Sequence, residues 1–214
     1  MKIEIIPQGT VTSPQGFLAG SISAGIKSKS KELDLGLLFS RNLCVAAGVF
    51  TQNKVKAAPV LVSIGAIKKQ QAQAVVVNSG CANAGTGEKG LADAREMASL
   101  AARKLGIREE SVLVASTGVI GVNIPMEKVQ SGLENIKLSP QGGYGLARAI
   151  MTTDAWPKER AVAIELDGHR CVIGGIAKGA GMIHPNLATL LVFLTTDAAV
   201  EASFLQKALK RSVD

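Results

Sequence analysis

AVVVNSGCANAGTGEKGLADAREMASLAARKLG, Ala74 to Gly106, is the stretch whose reading decides the fold. Ala74 to Gly80 is apolar and β-branched without alternation, as suits a central strand buried on both faces. The small-residue loop CANAGTG follows. In the next segment Leu91, Ala94, Met97, Ala98, Ala101 and Leu105 recur at helical spacing, and Gly106 stands where a left-handed C-terminal residue is expected. Downstream, SVLVASTGVIG (Ser111 to Gly121) predicts a second buried strand, and Pro125 suits the first turn of a helix carrying Val129, Leu133 and Ile136. A shorter helix is expected over Tyr144 to Met151. AVAIELDGHRCVIGGIAK predicts two strands joined at Asp167-Gly168, a dipeptide favoured in two-residue hairpin turns. TLLVFLTTDA reads as a strand, and VEASFLQKALKRS as an amphipathic helix with Phe204, Leu205, Ala208 and Leu209 on one side. Upstream, KIEII, GFLAGSISAGI, ELDLGLLFS and LCVAAGVFTQN read as short strands with few helical signals. Interleaved strands and helices without an internal repeat predict an α/β protein with mixed rather than strictly alternating order.

Composition narrows the function. A chain of 214 residues, 47% hydrophobic, can bury a sizeable core. Its net charge of +7 favours acidic ligands, but the basic residues are mostly scattered and only 3% of residues are aromatic, too few for base-stacking platforms. No nucleic-acid partner is expected. Cys44, Cys81 and Cys171 are odd in number and far apart, so neither a disulfide framework nor a zinc site is indicated and a reducing, cytoplasmic setting is expected. With only His169 and His184, no metal is expected. The N-terminus lacks the apolar core of a signal peptide and no run approaches a membrane span, so no membrane partner is expected either.

GTGEKG, Gly85 to Gly90, matches the glycine fingerprint of dinucleotide sites. However, CANA separates it from the strand, and Glu88 would put negative charge where a pyrophosphate should sit. A glycine-rich loop packed against neighbouring backbone is the better reading, and no cofactor is expected. The phosphate-loop order and the G-x-S-x-G elbow are absent. Singly, STGVIG is a strand-end turn, TTD at Thr152 to Asp154 a cap, and Thr189 the first residue of a strand. Together, Thr117-Gly118, Thr153, Lys178 and Thr189 supply the small hydroxyls, backbone amide and lysine that acyl transfer without metal or histidine would use. A threonine hydroxyl alone is inert. Cutting the Ala188-Thr189 bond would give Thr189 a free α-amine with a pKa of about 7.7 to 8.0, matched to a general base at neutral pH.

The chain resembles the ornithine acetyltransferase family, the bifunctional glutamate N-acetyltransferases of arginine biosynthesis. The resemblance rests on AAGVFTQNKVKAAPV (Ala46 to Val60), VVNSGCANAGTG (Val76 to Gly87), STGVIG (Ser116 to Gly121), AIMTTDAWPK (Ala149 to Lys158) and KGAGMIHPNLATLLVFLTTDA (Lys178 to Ala198). It implies an α/β mixed-sheet sandwich resembling the N-terminal nucleophile hydrolases but with its own topology. It implies self-cleavage between Ala188 and Thr189, Thr189 as nucleophile, Thr117 and Gly118 as oxyanion hole, and Thr153, Lys178 and Thr189 as substrate-binding residues. The implied reaction is ping-pong: N2-acetylornithine acetylates Thr189, and glutamate takes the acetyl group. Some members also use acetyl-CoA as donor.

By the same resemblance, residues 1–188 correspond to an α-chain segment, and 189–214 to the start of a β-chain segment that family members continue to about twice this length. The implied partner is the missing C-terminal half or β-chain, in a hetero-oligomer of α and β chains after cleavage. Three other readings compete. One is an amidase or aminopeptidase that uses the same nucleophile but passes the acyl group to water. Another is a non-catalytic fragment binding an acidic metabolite or a partner chain. The last is a nicotinamide-cofactor protein built on GTGEKG.

Overall fold

The structure, a computed structural model, describes residues 2–27, 31–166, 168–180 and 190–213. In chain order the elements are β1 (Lys2–Ile6), β2 (Phe17–Ile22), β3 (Leu35–Val45), α1 (Ala58–Ile67), β4 (Gln71–Cys81), α2 (Gly87–Leu105), a single 3-10 turn (Glu109–Ser111), β5 (Val112–Val119), α3 (Met126–Asn135), α4 (Gly143–Ala149), β6 (Lys158–Leu166), β7 (His169–Lys178), β8 (Leu191–Thr196) and α5 (Ala202–Val213). The strands form two four-stranded sheets. The inner sheet, β2-β3-β4-β5, is antiparallel except for the parallel pair β4 and β5, and the outer sheet, β1-β6-β7-β8, is antiparallel throughout. A mixed-sheet sandwich is therefore what the chain forms.

Ala74 to Gly80 lies within β4, which is central in the inner sheet and buried on both sides. One face packs under helices: Leu35, Leu37, Val76, Val112 and Val114 meet Met97 and Ala101 of α2 and Val129 and Leu133 of α3. The other face packs on the outer sheet, where Leu38, Val75, Val77 and Ala115 meet Ile176, Leu191 and Phe193, with Leu146 and Ile150 from α4 and its end completing the core. The α2 helix ends as its pattern predicts, with Gly106 at φ +66° and its amide bonded back to Arg103.

Two expectations need correction. ELDLGLLFS and LCVAAGVFTQN do not make two strands: β3 runs from Leu35 to Val45, with an irregularity between Phe39 and Cys44, and the chain beyond Val45 leaves the sheet. The few helical signals of the first half also conceal α1. Its β-branched Val60, Val62, Ile64 and Ile67 resemble a strand, and tertiary contacts override that preference. Pro59 lies in its first turn. Buried Ser63 donates through Oγ to the Val114 carbonyl at 2.7 Å and accepts from the Val114 amide at 2.8 Å. β5 is an edge strand, so α1 closes the edge that an unpaired strand would leave open.

The turn joining β6 to β7 is expected at Asp167-Gly168, of which Asp167 lies outside the described residues. Ala188, Thr189 and His184 lie outside them too. Among the described residues, no helix is long and apolar enough to cross a membrane, and no group of three His, Cys, Asp or Glu could hold a metal.

Candidate active site

The end of β5 and the end of β7 face each other across the sandwich. Lys178, the last residue of β7, is 3% exposed and donates through Nζ to the Oγ1 of Thr117, itself buried, at 3.0 Å and to the Oγ1 of Thr152 at 2.8 Å. Thr117 belongs to β5 and Thr152 to the loop after α4, so three separate segments place their polar groups at one point.

Gly118 follows Thr117 at the tightest place in the inner sheet. It has φ +134° and lies opposite Gly80, at φ +103°, where the β4–β5 register shifts between Gly80 and Cys81. A Cβ at Gly118 would lie 2.3 Å from the Gly80 carbonyl carbon, so this approach of two strands requires glycine. A carboxylate organises the chain on the other side of Gly80. Fully buried Asp34 accepts from the amides of Ala24, Ile26 and Lys27 at 2.7, 2.6 and 2.9 Å, pinning Lys27 against Gly80.

Among the described residues, Lys178 has no ion pair and its contacts are hydroxyls. Burial is the largest influence lowering the Lys178 pKa from the ordinary lysine value; Asp154 opposes it, while Lys158 and Lys27 add to it. Asp154 is engaged elsewhere: its Oδ1 accepts from Lys158 Nζ at 2.6 Å and from the Gly179 amide at 2.8 Å, and its Oδ2 from the Thr152 amide at 3.3 Å. Burial alone would raise the Asp154 pKa. The hydrogen bonds from Lys158, Gly179 and Thr152 outweigh it and bring the carboxyl from 3.8 down to about 2. A buried ammonium between two hydroxyls, beside a strand-end glycine, suits the binding of a carboxylate or a developing oxyanion.

Of the residues singled out in the sequence, Thr117, Gly118 and Lys178 come together. Thr153 is exposed, and its neighbour Thr152 makes the contact with Lys178. In the sequence Thr152 and Asp154 read only as part of a cap, and Gly80 and Lys27 carry no site role. The Asp154 and Lys158 spacing of four residues was one available signal, although it reads equally as a surface pair. The GTGEKG segment is filled by Thr86 and by Asn83 just before it: Thr86 Oγ1 donates to Asn83 Oδ1 at 2.7 Å, and Asn83 Nδ2 donates to the Gly90 carbonyl at 2.8 Å. A Cβ on Gly90 would lie 1.9 Å from Thr86 Oγ1, so this glycine serves close packing.

The model of the ArgJ family matches residues 18–214. The chain belongs to the ArgJ family. It is 54% identical over 214 residues to the arginine biosynthesis bifunctional protein ArgJ of Dehalococcoides mccartyi, covering 100% of this chain and 53% of that protein. It is also 54% identical to the ArgJ of Symbiobacterium thermophilum, over 96% of this chain and 52% of the relative. It thus spans about half the length of the curated ArgJ relatives it matches. Among solved structures, the ornithine acetyltransferase of Mycobacterium tuberculosis, complexed with ornithine, superposes with a TM-score of 0.79 at 38% identity, covering 89% of this chain and all of that one. The ArgJ protein of Bacillus halodurans does so with a TM-score of 0.82 at 38% identity, covering 89% of this chain and 98% of that one. The l-aminopeptidase d-ala-esterase/amidase of Ochrobactrum anthropi, a variant of the ntn hydrolase fold, shares the fold alone, at 14% identity and a TM-score of 0.54.

Proposed function

We propose that this chain is the N-terminal part of an autoprocessing acyltransferase that moves an acetyl group from N2-acetylornithine to glutamate through an acetyl ester on Thr189. The observation that carries the reading is the buried Lys178 ammonium held between the Thr117 and Thr152 hydroxyls beside Gly118. It sits on the strand that leads, within the next eleven residues (189 − 178), to a threonine able to act as nucleophile and base. In self-cleavage, Thr189 Oγ attacks the Ala188 carbonyl, the peptide nitrogen leaves as the α-amine, and water hydrolyses the resulting ester. In transfer, Oγ attacks the acetyl carbonyl while the α-amine takes its proton and passes it to departing ornithine. The glutamate amine then attacks the ester, and Oγ recovers its proton. Thr117 and the Gly118 amide hold the oxyanion in both reactions, and Lys178 draws in the substrate carboxylate. Thr152 shares the substrate-binding role expected of Thr153. The ornithine-bound relative supports the substrate class.

Two length relations support processing into two chains. The solved relatives' chains align over 98% and 100% of their length with 89% of this one, about 190 residues (0.89 × 214), close to the stretch from Met1 to Ala188. The curated relatives are about twice as long (214/0.53, about 404). The remaining half docks on the outer sheet. Its outward face presents Ile3 and Ile5 of β1 and Val192 and Leu194 of β8, all exposed, across all four strands with Val162, Ile164 and Ile173 between them.

The mass of the full-length protein tests the reading. Two fragments dividing at Ala188 and Thr189 are expected, with Thr189→Ala remaining whole; a wild type that stays whole while transferring acetyl groups contradicts it. Glutamate dependence separates transfer from hydrolysis, since ornithine release by an amidase proceeds equally without it.

A further inference from the structure

Three chain segments meet on the carboxylate of Asp154, whose side chain is 0% exposed. The loop after α4 brings the Thr152 amide, the start of β6 brings Lys158 Nζ, and the residue after β7 brings the Gly179 amide. Both amides flank the site: Thr152 carries a hydroxyl that Lys178 donates to, and Gly179 directly follows Lys178. One carboxylate thereby fixes both ends of the Thr152–Lys178 hydrogen bond through their backbones. It also fixes the first residue of the connection toward Thr189.

We propose that Asp154 is a positioning residue for the Thr117–Lys178–Thr152 cluster, anchoring the two backbone amides beside it and, with Lys158, setting the charge that the Lys178 ammonium faces; this rests on the acyl-transfer reading of the cluster. The charged groups around Lys178 come from three segments. Asp154 lies in the loop after α4, Lys158 at the start of β6, and Lys27 in the connection from β2 to β3, where Glu32 lies 3.6 Å from its Nζ. β5 contributes the Thr117 hydroxyl. The two members of the Asp154–Lys158 pair therefore act on Lys178 in opposite senses. Asp154→Asn keeps an oxygen for the Gly179 amide but removes the anion, which disfavours the ammonium. Lys158→Met removes a cation and leaves the Asp154 charge unopposed, which favours it.

A structural role alone would not move the two variants in opposite directions. The test is the titration of Lys178 in the full-length protein, followed by carbon-13 NMR of labelled lysine and assigned with Lys178→Arg. The midpoint is expected to fall in Asp154→Asn, rise in Lys158→Met and stay near wild type in Asp154→Glu. The alkaline limb of kcat for acetyl transfer should follow it. Midpoints that stay put or shift in the same direction in the first two variants overturn the proposal. If Asp154→Asn does not fold, Lys158→Met decides alone: a raised midpoint supports the proposal and an unmoved one overturns it. A wild type without acetyl transfer overturns the acyl-transfer reading, while the titration still tests the role of Asp154.

Discussion

The two sheets of this protein have similar size but opposite surroundings. The inner sheet is covered on both faces, by α1, α2 and α3 on one side and by the outer sheet on the other. Among the described residues, the outer sheet buries its inward face through Ala161, Ala163, Val172 and Ile176, and its other face leaves Ile3, Ile5, Val192 and Leu194 exposed. The inner sheet is the more deeply buried of the two, whereas the outer sheet keeps an exposed face on which the proposed second half would dock. The cluster at Thr117 and Lys178 lies where they meet, one residue from each.

Substitutions can break or sharpen that contrast. The largest effect is expected for Gly118→Ala, where a new Cβ meets the backbone of Gly80 in a conformation that favours glycine. A loss of about 4 kcal/mol by urea unfolding is expected, with the β4–β5 pairing disrupted. Met97→Ala empties a fully buried position between α2 and the inner sheet and should cost about 3 kcal/mol. A much smaller loss would mean that the helical layer is not what holds the inner sheet.

An acid-dependent effect comes next. The Asp154 carboxyl is depressed in the folded chain to about 2 from 3.8. Its contribution is therefore fully present above the unfolded value and is lost as the pH falls toward the folded one. Roughly 2 kcal/mol should disappear over that window. In Asp154→Asn, stability should be flatter across it, as read from urea midpoints at about pH 5 and about pH 2. Leu194→Ser is the smallest: half-exposed on the outer face, it should change the stability of this half by no more than about 0.5 kcal/mol. The same change should weaken capture of the second half. A large intrinsic loss would show that the outer face is already covered.

Legibility does not follow that division but depends on whether burial is set by local pattern, since the outer strands β6, β7 and β8 are as readable as β4. β4, α2, β5 and α3 were readable because their burial is dictated by local pattern: a continuous apolar run, a helical stripe and glycine at the helix end. α1 was not readable, because its sequence favours a strand and its helix depends on Ser63 meeting Val114 and on packing against α2. The amphipathic pattern of α5 was legible and the helix exists, yet none of its residues is buried. Periodicity reports the side meant for burial, not whether a partner is there. At the site, Thr117, Gly118 and Lys178 could be picked out by residue type. The choice of Thr152 over Thr153 for the lysine could not, since it depends on how Asp154 turns the loop. Lys27 was hidden because Asp34 folds its segment back onto Gly80 across a gap that no sequence spacing reveals.

In the proposed reaction the segment following Lys178 ends in a nucleophile. The most direct measurement is the mass of the full-length protein after incubation with N2-acetylornithine in the absence of glutamate. One acetyl group on the fragment beginning at Thr189, removed when glutamate is added, is the expected result. Steady ornithine release with no acetylated fragment, or an acetyl group retained in Thr189→Ala, would contradict it.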